Sequence, residues 1–152
     1  MRAVFAFLML AFAASSPAAD AVRLELSADD RMVFSKTAFE VTSGQKVTLV
    51  FKNTGAKGEK SMKHNVVLLK PGNTIVAFAV KCNAAAASGY VPTDKESKEQ
   101  MVGHVRLIGG GQTASLSFTA GEPGDYPFFC SSPGHFDKMQ GRITVKPKPA
   151  AP

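Results

Sequence analysis

Apolar and polar residues alternate in short runs along most of the chain: Val22-Arg23-Leu24-Glu25-Leu26, Phe39-Glu40-Val41, Val47-Thr48-Leu49-Val50-Phe51, Ala114-Ser115-Leu116-Ser117-Phe118 and Ile143-Thr144-Val145. Side chains on a strand point to opposite faces with a period of two, so each run turns one face to a core and the other to water. Turn-forming clusters separate the runs, at Ser43-Gly44-Gln45, Asn53-Thr54-Gly55, Gly109-Gly110-Gly111 and Gly121-Glu122-Pro123-Gly124. Many short strands at this spacing, with no βαβ alternation and no internal repeat, predict an all-β Greek-key sandwich or barrel. One stretch has a helical period instead. Ile75, Phe78, Ala79, Cys82 and Ala86 recur at i, i+3, i+4, i+7 and i+11, behind Asn73 as N-cap and ahead of Ser88-Gly89, which predicts an amphipathic helical insertion around residues 74–88. Thr93 and Glu96 have the spacing of a capping box, but Asp94 to Gln100 is strongly polar, so this segment reads as either a solvated loop or a short helix.

The two ends of the chain break the pattern. Arg2 is followed by an apolar run from Ala3 to Ala14 and then by the small residues of Ser15-Ser16-Pro17-Ala18-Ala19. Residues 1–18 are therefore expected to be a secretory signal peptide, cut before Ala19. The run falls short of the roughly 20 apolar residues of a membrane-spanning helix. The mature chain is expected in the periplasm, or otherwise exported, with no stable membrane insertion. Residues 19–146 then make one domain of ordinary size, expected as a monomer, and the Pro/Lys/Ala tail 147–152 is too poor in apolar residues to pack and is expected to be disordered. The formal net charge is +6, falling to +5 without Arg2, and the charges are interspersed. With no Arg-rich stripe or aromatic stacking motif, this favours an acidic protein partner over nucleic acid.

Two cysteines in an exported chain ordinarily suggest a disulfide. Cys82, however, falls on the apolar face of the predicted helix, where a free buried cysteine packs as a small hydrophobe. Cys130 opens the segment Cys130-Ser131-Ser132-Pro133-Gly134-His135-Phe136-Asp137-Lys138-Met139, entered from Phe128-Phe129 and left through Gln140-Gly141 into a strand. Thiolate, imidazole and thioether on one loop are soft or borderline donors that suit copper and not the oxygen-seeking magnesium or calcium. A trigonal site of two histidines and one cysteine needs a second imidazole. His64, at the head of the alternating strand His64-Asn65-Val66-Val67-Leu68-Leu69, is the natural candidate. His104 reads as a structural or surface histidine at the end of a strand, and Met32, Met62 and Met101 as packing residues.

These residues resemble the azurins and auracyanins among the cupredoxins. The resemblance rests on His64-Asn65, Phe128-Phe129-Cys130, Pro133-Gly134-His135, Met139 four residues on, and His104-Val105-Arg106-Leu107-Ile108-Gly109, and it spans nearly all of the mature chain. It implies an eight-stranded Greek-key sandwich holding one type 1 copper, with His64, Cys130 and His135 as ligands and Met139 as a weak axial ligand. It implies single-electron transfer through the exposed edge of His135, and a role for Asn65 in tying the ligand strand to the backbone near Ser131. The chain departs from the family in three ways. Lys63 stands where the family has glycine before the first histidine, Ser132 and Lys138 occupy docking-face positions that are usually apolar while Met62 stays apolar, and the structural disulfide near the N-terminus is missing.

The function expected is an electron carrier, not an enzyme, serving a c-type cytochrome, a reductase or a dehydrogenase whose docking face is acidic. A copper chaperone or storage protein is the main rival, but it would use open Met- and His-rich or paired-cysteine sites. A copper oxidase or nitrite reductase needs a further metal centre, and three histidines are too few. A zinc module is disfavoured because methionine is a poor zinc ligand.

Overall fold

The structure is a computed structural model that describes residues 21–150; the expected signal peptide and its cleavage point lie outside the described residues. Eight strands follow in the order β1 (Val22–Ala28), β2 (Ala38–Thr42), β3 (Lys46–Asn53), β4 (His64–Leu69), β5 (Met101–Ile108), β6 (Thr113–Thr119), β7 (Gly124–Phe129) and β8 (Gln140–Lys146). Helices α1 (Ile75–Asn83) and α2 (Lys95–Gln100) lie between β4 and β5. One sheet has the order β1-β3-β6 and the other β2-β8-β7-β4-β5. The pairs β1/β3 and β2/β8 are parallel and the remaining pairs antiparallel, so consecutive strands β1 and β2 serve opposite sheets in Greek-key fashion. The two sheets stay separate, which makes the fold a sandwich and not a closed barrel.

Each alternating run turns the predicted face inward, although that of β6 (Ala114, Leu116, Phe118) is only half-buried. Leu24 and Leu26 of β1, Val47, Leu49 and Phe51 of β3, Val66 and Leu68 of β4, Phe128 of β7, and Ile143 and Val145 of β8 fill the space between the sheets. β4 differs from its expected half-exposed alternation in that all six of its residues are buried. The cause is α1, which packs Phe78, Ala79 and Cys82 with Val67, Leu69 and Phe129 in a second apolar cluster, on the side chains of opposite parity. A strand covered on both faces can be apolar throughout.

The insertion is shorter and capped differently than expected. The α-helix ends at Asn83, a 3-10 turn follows at Ala86–Ser88, and Ala86 is exposed, not part of the apolar face. Thr74, not Asn73, is the N-cap, and it makes no side-chain capping bond; the Asn73 amide instead donates to the Lys70 carbonyl in the preceding turn. The polar stretch is a helix, capped by Asp94 instead of Thr93: its carboxylate accepts the Ser97 amide at 2.9 Å. A carboxylate is a stronger acceptor for an orphan helix amide than a hydroxyl, so the start moves on by one residue. Residues 147–150 are exposed and carry no regular structure, and among the described residues no helix is long and apolar enough to cross a membrane.

Candidate metal centre

Strand parity brings the donors together. β4 pairs with β7 with Val67 opposite Phe129 and Leu68 opposite Phe128. Continued by two residues, this register sets Asn65 against Ser131. Cys130 shares the inner apolar cluster with Val66, Leu68 and Phe128, while Val67, Leu69 and Phe129 share the outer one. His64 and Cys130 therefore have inner parity and Asn65 and Ser131 outer parity. The β4/β5 register also slips between His64 and Val66, a bulge at the strand end that carries the histidine; bulges commonly re-aim side chains beside sites.

The loop from Cys130 is closed by backbone bonds. The Cys130 amide donates to the Met139 carbonyl at 2.9 Å, and the Met139 amide to the His135 carbonyl at 2.9 Å. Ser132-Pro133-Gly134-His135 is a turn in which the His135 amide donates to the Ser132 carbonyl, with Gly134 at φ 77°. Proline second and a positive-φ glycine third are what a type II turn requires.

His64 Nδ1, His135 Nδ1 and Cys130 Sγ form a triangle with edges of 3.2, 3.6 and 4.0 Å. A first-row metal with nitrogens at about 2.0 Å and sulfur at about 2.3 Å in one plane would space the nitrogens about 3.5 Å apart and each about 3.7 Å from sulfur. The triangle has that size. Met139, the fourth expected donor, is fully buried at the far end of the same loop, and its backbone is tied to both Cys130 and His135. His104 lies elsewhere, exposed in the middle of β5 and not at a strand end.

The electrostatics suit a metal. His64 is fully buried, and its Nε2 can only donate to the Asp29 carbonyl, at 3.1 Å, which leaves the Nδ1 lone pair facing the triangle. Burial lowers the affinity of both imidazoles for a proton, and at His135 the neighbouring His64 adds to the effect. Both are thus neutral donors at neutral pH. Burial pushes the Cys130 thiol up, so a thiolate here calls for a cation beside it.

Asn65 is fully buried and binds in three directions. It accepts the Ser131 amide at 2.8 Å and donates to the Ser131 hydroxyl at 2.7 Å and the Gly89 carbonyl at 3.1 Å. The Ser131 hydroxyl in turn donates to the Tyr90 carbonyl at 2.6 Å. Gly89 and Tyr90 both have positive φ, 69° and 63°, which aims consecutive carbonyls at this pair. The Lys63 carbonyl accepts the Ser132 hydroxyl at 3.1 Å. Cys82 and Cys130 are both free, as expected, and burial raises the Cys82 thiol to about 11, partly offset by the Ser131 hydroxyl.

The carbonyls of Asp29, Gly89 and Tyr90 were not among the expected site groups, because a backbone acceptor leaves no signature in residue type. Phe136 also went unremarked, although a lone aromatic among Gly134, Asp137 and Lys138 is a visible signal.

Residues 21–146 match the model of the copper binding proteins of the plastocyanin/azurin family. Auracyanin-A of Chloroflexus aurantiacus is 34% identical over 121 residues, covering 78% of this chain and 70% of the relative. An azurin of Bordetella pertussis is 35% identical over 144 residues, 91% of this chain and 92% of the relative. Among solved structures, dithionite-reduced auracyanin of Roseiflexus castenholzii superposes with a TM-score of 0.73 at 29% identity, covering 82% of this chain and 97% of that one.

Proposed function

Because the chain belongs to the plastocyanin/azurin family of copper-binding proteins, we propose that it is an exported one-electron carrier whose single copper is held by His64, Cys130, His135 and Met139. The observation that carries this reading is the triangle of two imidazole nitrogens and one thiol sulfur, 3.2 to 4.0 Å on its edges. Copper bound there would supply a Cu(I)/Cu(II) couple. The protein supplies the mixed donor set, in which two imidazoles, a thiolate and a thioether satisfy neither oxidation state fully and so limit rearrangement. It excludes water from His64, Cys130 and Met139, all fully buried. His135, half-exposed on the loop, is left as the port through which electrons enter and leave.

Burial of three of the four donors also argues against a chaperone or storage role, since metal hand-over needs donors that a partner's ligands can reach. Exposed Lys63 and Lys138, next to His64 and Met139, favour a redox partner with an acidic docking face, such as a c-type cytochrome, a reductase or a dehydrogenase. The signal peptide over residues 1–18 and a single domain over 19–146 belong to the same reading.

The test is optical. Cu(II) added to the purified mature protein is expected to give one intense blue species per chain, bleached by ascorbate and restored by an oxidant, and Cys130→Ser is expected to abolish the colour. A colourless product, a second copper per chain, or loss of copper on reduction would overturn the assignment.

A further inference from the structure

The two histidines of the triangle are held by different means. His64 is fully buried and fixed from behind by the hydrogen bond from its Nε2 to the Asp29 carbonyl. His135 is half-exposed, and its hydrogen-bond contacts among the described residues are made by Nδ1, none by Nε2. A metal-bound imidazole is ordinarily oriented by a partner on its second nitrogen, so the orientation of His135 must come from the backbone that carries it. The hydrogen bonds of that backbone stay within the loop, and Pro133, Gly134, Asp137 and Lys138 are all exposed. Between Ser132 and Met139, Phe136 is the one apolar side chain that reaches a core. It packs against the outer cluster of Val67, Leu69, Phe78, Ala79, Cys82, Val91, Met101 and Phe129, the layer contributed largely by α1 and the strand beneath it.

We propose that Phe136 is the positioning residue for His135, pinning the outer half of the ligand loop to the outer apolar cluster and taking the place of the missing hydrogen bond. The proposal rests on the reading of His135 as a metal ligand. The same outer cluster contains Phe129, immediately before Cys130, and Phe78 meets the Phe129 ring at 6.3 Å between centroids. The outer cluster therefore holds the residues beside two of the three triangle donors. Cys130 and Met139 belong to the inner core, whereas Phe129 and Phe136, the neighbours of Cys130 and His135, belong to or pack on the outer cluster.

The experiment compares the parent, Phe136→Ala and Phe136→Leu, with and without copper. In metal-free protein, amide exchange at His135, Lys138 and Met139, whose N–H groups close the loop, is expected to quicken about tenfold in Phe136→Ala while β4 amides stay unchanged, because the opening is local. Phe136→Leu, which keeps apolar bulk and should fold where alanine does not, is expected to fall between parent and alanine. In the copper form, Phe136→Ala is expected to shift the blue absorption band and the Cu(II) hyperfine splitting and to slow electron self-exchange, with Phe136→Leu restoring most of each. Exchange at the three loop amides that rises no more than in β4, or a spectrum and self-exchange rate unmoved by either substitution, would overturn the proposal. A parent protein that never turns blue would instead overturn the ligand assignment, and the exchange measurement would still decide whether Phe136 holds the loop.

Discussion

At the scale of single residues, the site depends on one buried amide as much as on its donors. Asn65 joins β4, the loop from Cys130 and the turn after the insertion through three hydrogen bonds, and its partner Ser131 closes the same junction from the loop side. Asn65→Ala would strand the buried Ser131 amide and leave the half-buried Gly89 carbonyl without its donor. Each unsatisfied buried polar group costs roughly 1–3 kcal/mol, so a loss of about 3 kcal/mol in unfolding free energy is expected from urea titration of the metal-free protein. A loss below about 1 kcal/mol would mean that water reaches these groups. The partnership of Asn65 with Ser131 was legible in the sequence only through the family resemblance. Its third bond, to a backbone carbonyl presented by the positive-φ pair Gly89-Tyr90, follows from a turn conformation that no residue type announces.

Among the elements, strands were read best and helix ends worst, for a physical reason. Alternation is enforced by the core along a strand, so Val22–Ala28 shows it throughout and Lys46–Asn53 departs from it only at Val50. A helix end is decided by one or two hydrogen bonds among near-equal competitors, and here Asp94 outcompetes Thr93. Arg31 and the Ser97 amide respectively hold the Asp29 and Asp94 carboxyls below the usual carboxylate range. For Asp94 this has a pH consequence of definite sign. A carboxyl whose folded value is depressed stabilises the fold fully above its unfolded value, and the contribution fades as pH falls through the lower folded value. Asp94→Asn keeps a capping oxygen but removes the charge. The parent is therefore expected to unfold at higher temperature than Asp94→Asn at about pH 6, and the gap is expected to shrink as pH falls below the ordinary carboxylate value and to vanish beneath the lowered folded one. A gap independent of pH would assign the cap's contribution to geometry alone. Close packing between elements was equally hidden from the sequence: Gly110 lies so near the Ala56 carbonyl that an added Cβ would sit 1.9 Å from it, which is why the β5–β6 turn can lie against the segment leading to the 3-10 turn Gly58–Lys60.

For the whole molecule, Cys130, His135 and Met139 could be read as neighbours because they share one loop, whereas His64 is 66 residues from Cys130 and joins the triangle only through the β4/β7 register. The charge pattern was equally legible, and its effect belongs to the molecule as a body. Lys57, Lys60 and Lys63 are exposed on the segment leading into β4, and Lys138 is exposed on the ligand loop, with Glu59 and Asp137 the acidic residues among them. A formal net charge of +6 over the chain adds a field of the same sign. Such a field acts on encounter more than on the bound state, because it steers a partner before contact is made and is damped over a screening length of about 10 Å at 0.1 M salt. Association with an acidic redox protein, followed by stopped-flow bleaching of the blue band, is accordingly expected to slow steeply as salt is raised. Lys63→Glu and Lys138→Glu are each expected to lower the association rate at low salt and to flatten its salt dependence, because each replaces a positive charge near the proposed electron port, His135, with a negative one. Dissociation should change far less, since rim charges mainly govern the on-rate. A control at a lysine distant from the loop, Lys46→Glu at the start of β3, carries the same change in net charge, so an equal effect there would assign the steering to overall charge and not to the face around His135.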